Sequence, residues 1–184
     1  GKLAALKLFS VQSLFLRRYP LAVLAGLLLA ASFPKIGIAG LAWVAPALML
    51  LVASGKRGGD SFRLGYVAGL AHYLASLYWL LLIPVAWFPI LGWLALSAYL
   101  ALYPATWVWL VSAIGRNSKF EVTSPAAALS PMFQATGGTL PWNWGQRMLW
   151  AFSGAVIWVA LEMIAARLFS GFPWNLLGAS QFQL

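Results

Sequence analysis

Two ionisable side chains, His72 and Glu162, stand inside otherwise apolar runs, and they are where any chemistry in this chain would have to begin. His72 is the one histidine of the 184 residues, and there is no cysteine. A Ser–His–acid triad would therefore need His72, Glu162 and a serine that nothing in the spacing singles out. A zinc site needs three or four His, Cys or carboxylate ligands, which the chain does not supply at a usable spacing, so no metal is expected. Without cysteine these residues hold no thiol nucleophile, thiolate site or disulfide. No phosphate-binding glycine loop is present either, and no cofactor is expected. For His72 the plain reading is a neutral imidazole hydrogen-bonded to a neighbouring helix; the functional one is a proton relay or a substrate contact. For Glu162 the alternatives are a carboxylate held by a structural hydrogen bond and a residue lining a polar cavity. Read alone, these residues fit a scaffold, a lipid-facing groove or a transport pathway.

The elements that position them follow from composition. Charged residues are 8% and hydrophobic residues 62% of the chain, whereas a soluble domain carries about a quarter charged residues. Three acids and twelve bases cannot coat a water-facing surface of this size, so lipid must be the solvent for most side chains. The net charge of +9 sits in short segments between apolar runs. It therefore reads as a topology signal and not as a nucleic-acid patch. The expected fold class is an all-α integral membrane bundle of about five transmembrane helices.

Residues 1–18 alternate bases (Lys2, Lys7, Arg17, Arg18) with apolar residues, the pattern of a basic amphipathic helix on the membrane surface. Residues 19–115 are expected to hold four transmembrane helices, near 19–33, 38–53, 62–83 and 90–114. The first two are close to the short limit of about 17 residues for a crossing. Residues 116–147, rich in Ser, Thr, Pro, Asn and Gly, are too polar to span and read as a loop. A fifth transmembrane helix is expected over 148–170, followed by a segment over 171–184 on the opposite face. Ten bases fall on one side (Lys2, Lys7, Arg17, Arg18, Lys56, Arg57, Arg63, Arg116, Lys119, Arg147), against Lys35 and Arg167 on the other. The first side is therefore expected to be cytoplasmic, with the N-terminus there and residues 171–184 outside.

Close packing in lipid needs small residues. The first span offers Ala22, Gly26 and Ala30; the third offers Gly65, Gly69, His72 and Ser76 on one helical stripe. Pro104 should kink the fourth span, since it removes a backbone donor. Depth would allow His72 and Glu162 to pair. Most tryptophans, including Trp79, Trp93 and Trp150, fall near the expected span ends and read as interfacial anchors.

The C-terminal stretch adds a resemblance. Trp158-Val-Ala-Leu-Glu162, then Gly171-Phe-Pro-Trp174 and Gly178-Ala-Ser-Gln181, resembles the apolipoprotein N-acyltransferases of bacterial inner membranes. Ser32-Phe33-Pro34, the Gly65/Gly69 span ending in Tyr78-Trp79, and Ala98-Tyr99-Leu100-Ala101-Leu102-Tyr103 fit in order. Two departures stand out. An arginine frequent three residues after the Glu is here Ala165, with Arg167 two further on, and the 116–147 loop is longer than the family's.

The resemblance implies the membrane half of an acyltransferase whose nitrilase-like domain, with a Glu–Lys–Cys set, lies outside these residues. The chain would then be an N-terminal fragment, inactive alone. The full enzyme would carry an acyl chain from a phospholipid donor, through a cysteine thioester, to the N-terminal diacylglyceryl-cysteine of a lipoprotein acceptor. Phe33, Pro34, Phe172, Pro173 and Trp174 would form the outer-face rim beneath the catalytic domain; the plainer reading is a set of rigid turns with aromatic anchors. A transport or channel subunit with His72 and Glu162 in a polar pathway is the competing reading, and a structural scaffold the third.

Overall fold

The computed structural model describes residues 18–33, 36–84, 88–117 and 144–168. Among them every regular element is helical: α1 (Arg18–Ala31), α2 (Leu41–Ala53), α3 (Gly59–Ser76) continued by a 3₁₀ turn (Tyr78–Leu82), α4 (Phe88–Leu100), α5 (Leu102–Asn117) and α6 (Trp144–Ala165). Three helical stretches are long and apolar enough to cross a membrane: Gly59–Leu82, Phe88–Arg116 and Trp144–Ala165. The protein is an all-α membrane bundle, as its composition requires. The basic arm over 1–17 and most of the 116–147 segment lie outside the described residues.

α1 and α2 are shorter than the apolar runs that encode them. α1 ends where the Ser32 hydroxyl turns back to donate to the Leu29 carbonyl (2.6 Å), and Gly37 follows with φ 71°, a left-handed value that favours glycine. At 13 residues, α2 rises about 20 Å, less than a hydrocarbon core of about 30 Å. The two helices form an antiparallel hairpin. At its base Arg18 Nη1 donates to the carbonyls of Val52 (3.0 Å) and Ser54 (2.9 Å), satisfying acceptors that the end of α2 leaves without intrahelical donors.

α3 packs against α2, α4 and α5, and the expected small-residue stripes are its contact faces. A Cβ at Gly26 would lie 2.0 Å from the Ala68 carbonyl oxygen. One at Gly65 would lie 2.9 Å from Ala105 Cα, and one at Gly69 3.1 Å from Ala101 Cα. Glycine there lets backbone meet backbone, which gives lipid-embedded helices their dispersion contact. Pro104 acts as expected: the fourth span breaks at Ala101 into α4 and α5, because the proline has no N–H for the Leu100 carbonyl. The Ala101 and Ala105 amides still bond to Ser97 and Ala101 (3.0 and 3.2 Å), so the chain stays helical across the kink.

α6 joins the bundle differently. Of its residues only Gly154 is buried, while Leu149, Phe152 and Val156 are exposed to the surrounding phase. Indoles make its attachments. Trp107 Nε1 of α5 donates to the Gly154 carbonyl (2.8 Å), and Trp150 Nε1 donates to the Val111 carbonyl (3.1 Å). The Trp107 and Trp158 rings meet edge to face at 4.8 Å. Reading tryptophans as interfacial anchors misses this. Trp150 ties α6 to α5, and Trp93 ties α4 to α3 through the Leu74 carbonyl (3.1 Å).

Candidate functional site

Arg18, Lys56, Arg116 and Arg147 gather at one end of the bundle. Arg18 bonds the end of α2, Arg116 Nη1 donates to the Lys56 carbonyl (3.0 Å), and Lys56, Arg116 and Arg147 border a common groove. The intramembrane polar groups lie toward the other end. His72 is roughly 20 Å along α3 from Gly59, and Glu162 roughly 27 Å along α6 from Trp144, at 1.5 Å per residue.

His72 is buried, its ring 5.4 Å from that of Phe33 and 4.6 Å from that of Tyr73. Glu162 is half-buried and accepts a hydrogen bond from Trp158 Nε1 one turn earlier (2.9 Å). Tyr73 follows His72 in the chain, and its ring packs edge to face on the imidazole. Tyr103 is hydrogen-bonded to Tyr99 across the α4–α5 break, their rings edge to face. The polar groups toward this end are thus His72 and Tyr73 of α3, Glu162 of α6 and the Tyr99–Tyr103 pair of α4 and α5, contributed by four helices.

Of the expected rim residues, Phe33 is buried at the end of α1 against His72, whereas Pro34, Phe172, Pro173 and Trp174 lie outside the described residues. Sequence reasoning missed Tyr73, although it adjoins His72, because a lone tyrosine in a span carries no pattern. It also passed over Trp107, whose indole role depends on a carbonyl 47 residues away. Among the described residues no group of three His, Cys, Asp or Glu could hold a metal ion.

A family model described as the apolipoprotein N-acyltransferase N-terminal domain matches residues 25–184. The chain belongs to the apolipoprotein N-acyltransferase family. It is also similar to a protein named apolipoprotein N-acyltransferase from Geobacter metallireducens, 37% identical over 173 residues. That match covers 91% of this chain and 28% of the relative's length. These residues therefore align with the N-terminal membrane domain of the family, and the polar groups described above fall within the matched range.

Proposed function

We propose that these residues are the membrane base of an enzyme that moves an acyl chain from a phospholipid to the free α-amino group of a lipoprotein's diacylglyceryl-cysteine. The observation that carries this reading is the family match over residues 25–184. Physical features support it. Both substrates are lipids, so a reacting domain must be held at headgroup height beside an opening for acyl chains, and a multi-helix bundle provides that base. With the bases marking the cytoplasmic side of a bacterial inner membrane, the His72–Tyr73–Glu162 end faces outward, together with residues 171–184.

The chemistry itself belongs to a cysteine outside these residues. Its thiol gives a proton to a general base and the thiolate attacks the phospholipid ester carbonyl, forming a thioester; the base passes that proton to the departing glycerol oxygen, and the lysophospholipid leaves. The lipoprotein amine then attacks the thioester, forming the amide, and its proton passes through the base to the departing thiolate, restoring the thiol. Residues 1–184 contain no cysteine and are inactive alone in this reading. The test is expression of the complete gene in bacteria depleted of their own N-acyltransferase, with mass spectrometry of a reporter lipoprotein's N-terminus. A third acyl chain on the amine is the expected result. A free amine alongside well-expressed, membrane-inserted protein would overturn the proposal.

A further inference from the structure

Between α2 and α6, floored by α5, runs an apolar groove of about 920 Å³. It exists because α6 is held to α5 by indoles and does not close onto α2. Its walls are Trp43, Pro46, Leu50 and Leu51 of α2 and Ala151 and Ala155 of α6, over a floor that includes Val111. Arg147 and Trp158 both line it. They are eleven residues apart on α6, so the groove is roughly 16 Å deep at 1.5 Å per residue. That is about one leaflet of a hydrocarbon core roughly 30 Å thick.

The charged side chains that line its mouth are of one sign. Lys56, Arg116 and Arg147 border that end, and among the described residues no Asp or Glu lines the groove. Arg116 is fixed there by its bond to the Lys56 carbonyl, which uses one of the five N–H donors of a guanidinium. Planar guanidinium groups match phosphate oxygens in geometry as well as charge. The mouth stands at the opposite end of the bundle from His72, Tyr73 and Glu162, so an occupant here is not in position for acyl transfer.

We propose that this groove is a binding site for an anionic phospholipid, its acyl chains along α2 and α6 and its phosphate at Lys56, Arg116 and Arg147. The lipid acts as a structural ligand of the domain in the leaflet level with those bases. Charge complementarity selects this occupant over a zwitterionic lipid, because basic residues at a membrane surface favour anionic headgroups.

The test uses the complete gene product, stripped of lipid in detergent and titrated with dipalmitoyl phosphatidylglycerol or dipalmitoyl phosphatidylcholine under native mass spectrometry. Beyond any lipid held as acyl donor, which Arg147→Gln should leave in place, wild type is expected to retain one phosphatidylglycerol with a preference of about tenfold over phosphatidylcholine. Glycerol 3-phosphate, which has the anion without the chains, should not compete. Arg147→Gln should remove most of the headgroup preference. Ala151→Trp, which fills the groove from an exposed helix position, should reduce retention of both lipids. Arg147 and Ala151 are both exposed, so neither substitution disturbs the core. Equal retention of the two lipids, no retained lipid, or wild-type phosphatidylglycerol binding by either variant would each overturn the site.

Discussion

Trp158 Nε1 donates a hydrogen bond to Glu162 Oε1 at 2.9 Å, one helical turn apart on α6. The same indole packs edge to face on Trp107, whose own N–H reaches back to the Gly154 carbonyl. The carboxylate is therefore oriented by a residue that α5 holds in place. This is the economical solution for an acid in lipid, where an unsatisfied charged group is costly.

That arrangement predicts different outcomes for two substitutions. Trp158→Phe keeps an aromatic ring against Trp107 but removes the donor to Glu162, and should destabilise the domain by about 1–3 kcal/mol. Glu162→Gln keeps an acceptor for the indole and should cost less than about 1 kcal/mol. Thermal unfolding in detergent measures both, and a larger loss for Glu162→Gln would contradict the assigned role of the indole.

The glycine contacts predict a ranking. Gly26→Ala drives a methyl to within 2.0 Å of a backbone carbonyl oxygen that cannot move without moving α3, and should cost at least about 2–3 kcal/mol. Gly69→Ala meets Pro104 and Ala101 at 3.0–3.1 Å and should cost less, about 1 kcal/mol. Gly92→Ala has nothing within 4 Å and lies inside α4, where alanine is the better helix former, so it should be neutral or stabilising by up to about 1 kcal/mol. Thermal shifts of the three variants test the order.

Arg18 gives a third prediction. Its guanidinium supplies donors to two carbonyls at the end of α2. Arg18→Gln should free that terminus at a cost of about 1.5–3 kcal/mol, the range for hydrogen bonds from charged donors. Hydrogen exchange should rise over residues 51–56 and stay unchanged in α5. Uniform exchange across the bundle would mean that Arg18 does not act locally.

Sequence patterns carried the bundle and its glycine seams, and not the seams made by indoles. The Gly65/Gly69 stripe was legible because period and residue size both survive in a linear string, and Pro104 was legible because its missing N–H is intrinsic to the residue. The Trp107–Gly154 and Trp150–Val111 bonds were not. A backbone carbonyl looks the same in every residue, so nothing in the string marks which one an indole will meet. The helix ends at Ala31 and Ala53 fell inside or at the edge of apolar runs, because turn geometry, not hydropathy, stops those helices. His72 and Glu162 were noticed for being ionisable in lipid. That His72 packs on Phe33 and Tyr73 depends on how α1 and α3 face each other, which no one-dimensional pattern records.

The grouping of bases predicts an orientation. Arg18, Lys56, Arg116 and Arg147 share one end of the bundle, and Lys/Arg-rich connections are retained on the cytoplasmic side. Ile83, just past the 3₁₀ turn that ends the Gly59–Leu82 stretch, then faces the outside, while Gly55, in the turn between α2 and α3, faces the cytoplasm. Because residues 1–184 contain no cysteine, one introduced at either position is read on its own peptide. Ile83→Cys should react with a membrane-impermeant thiol reagent in cells with a permeabilised outer membrane. Gly55→Cys should react only after the inner membrane is opened; Gly55 has φ 72°, so Ser54→Cys is the unstrained substitute if that variant expresses poorly. The reverse pattern would place the bases outside and remove the support that orientation lends to an outward-facing His72–Tyr73–Glu162 end.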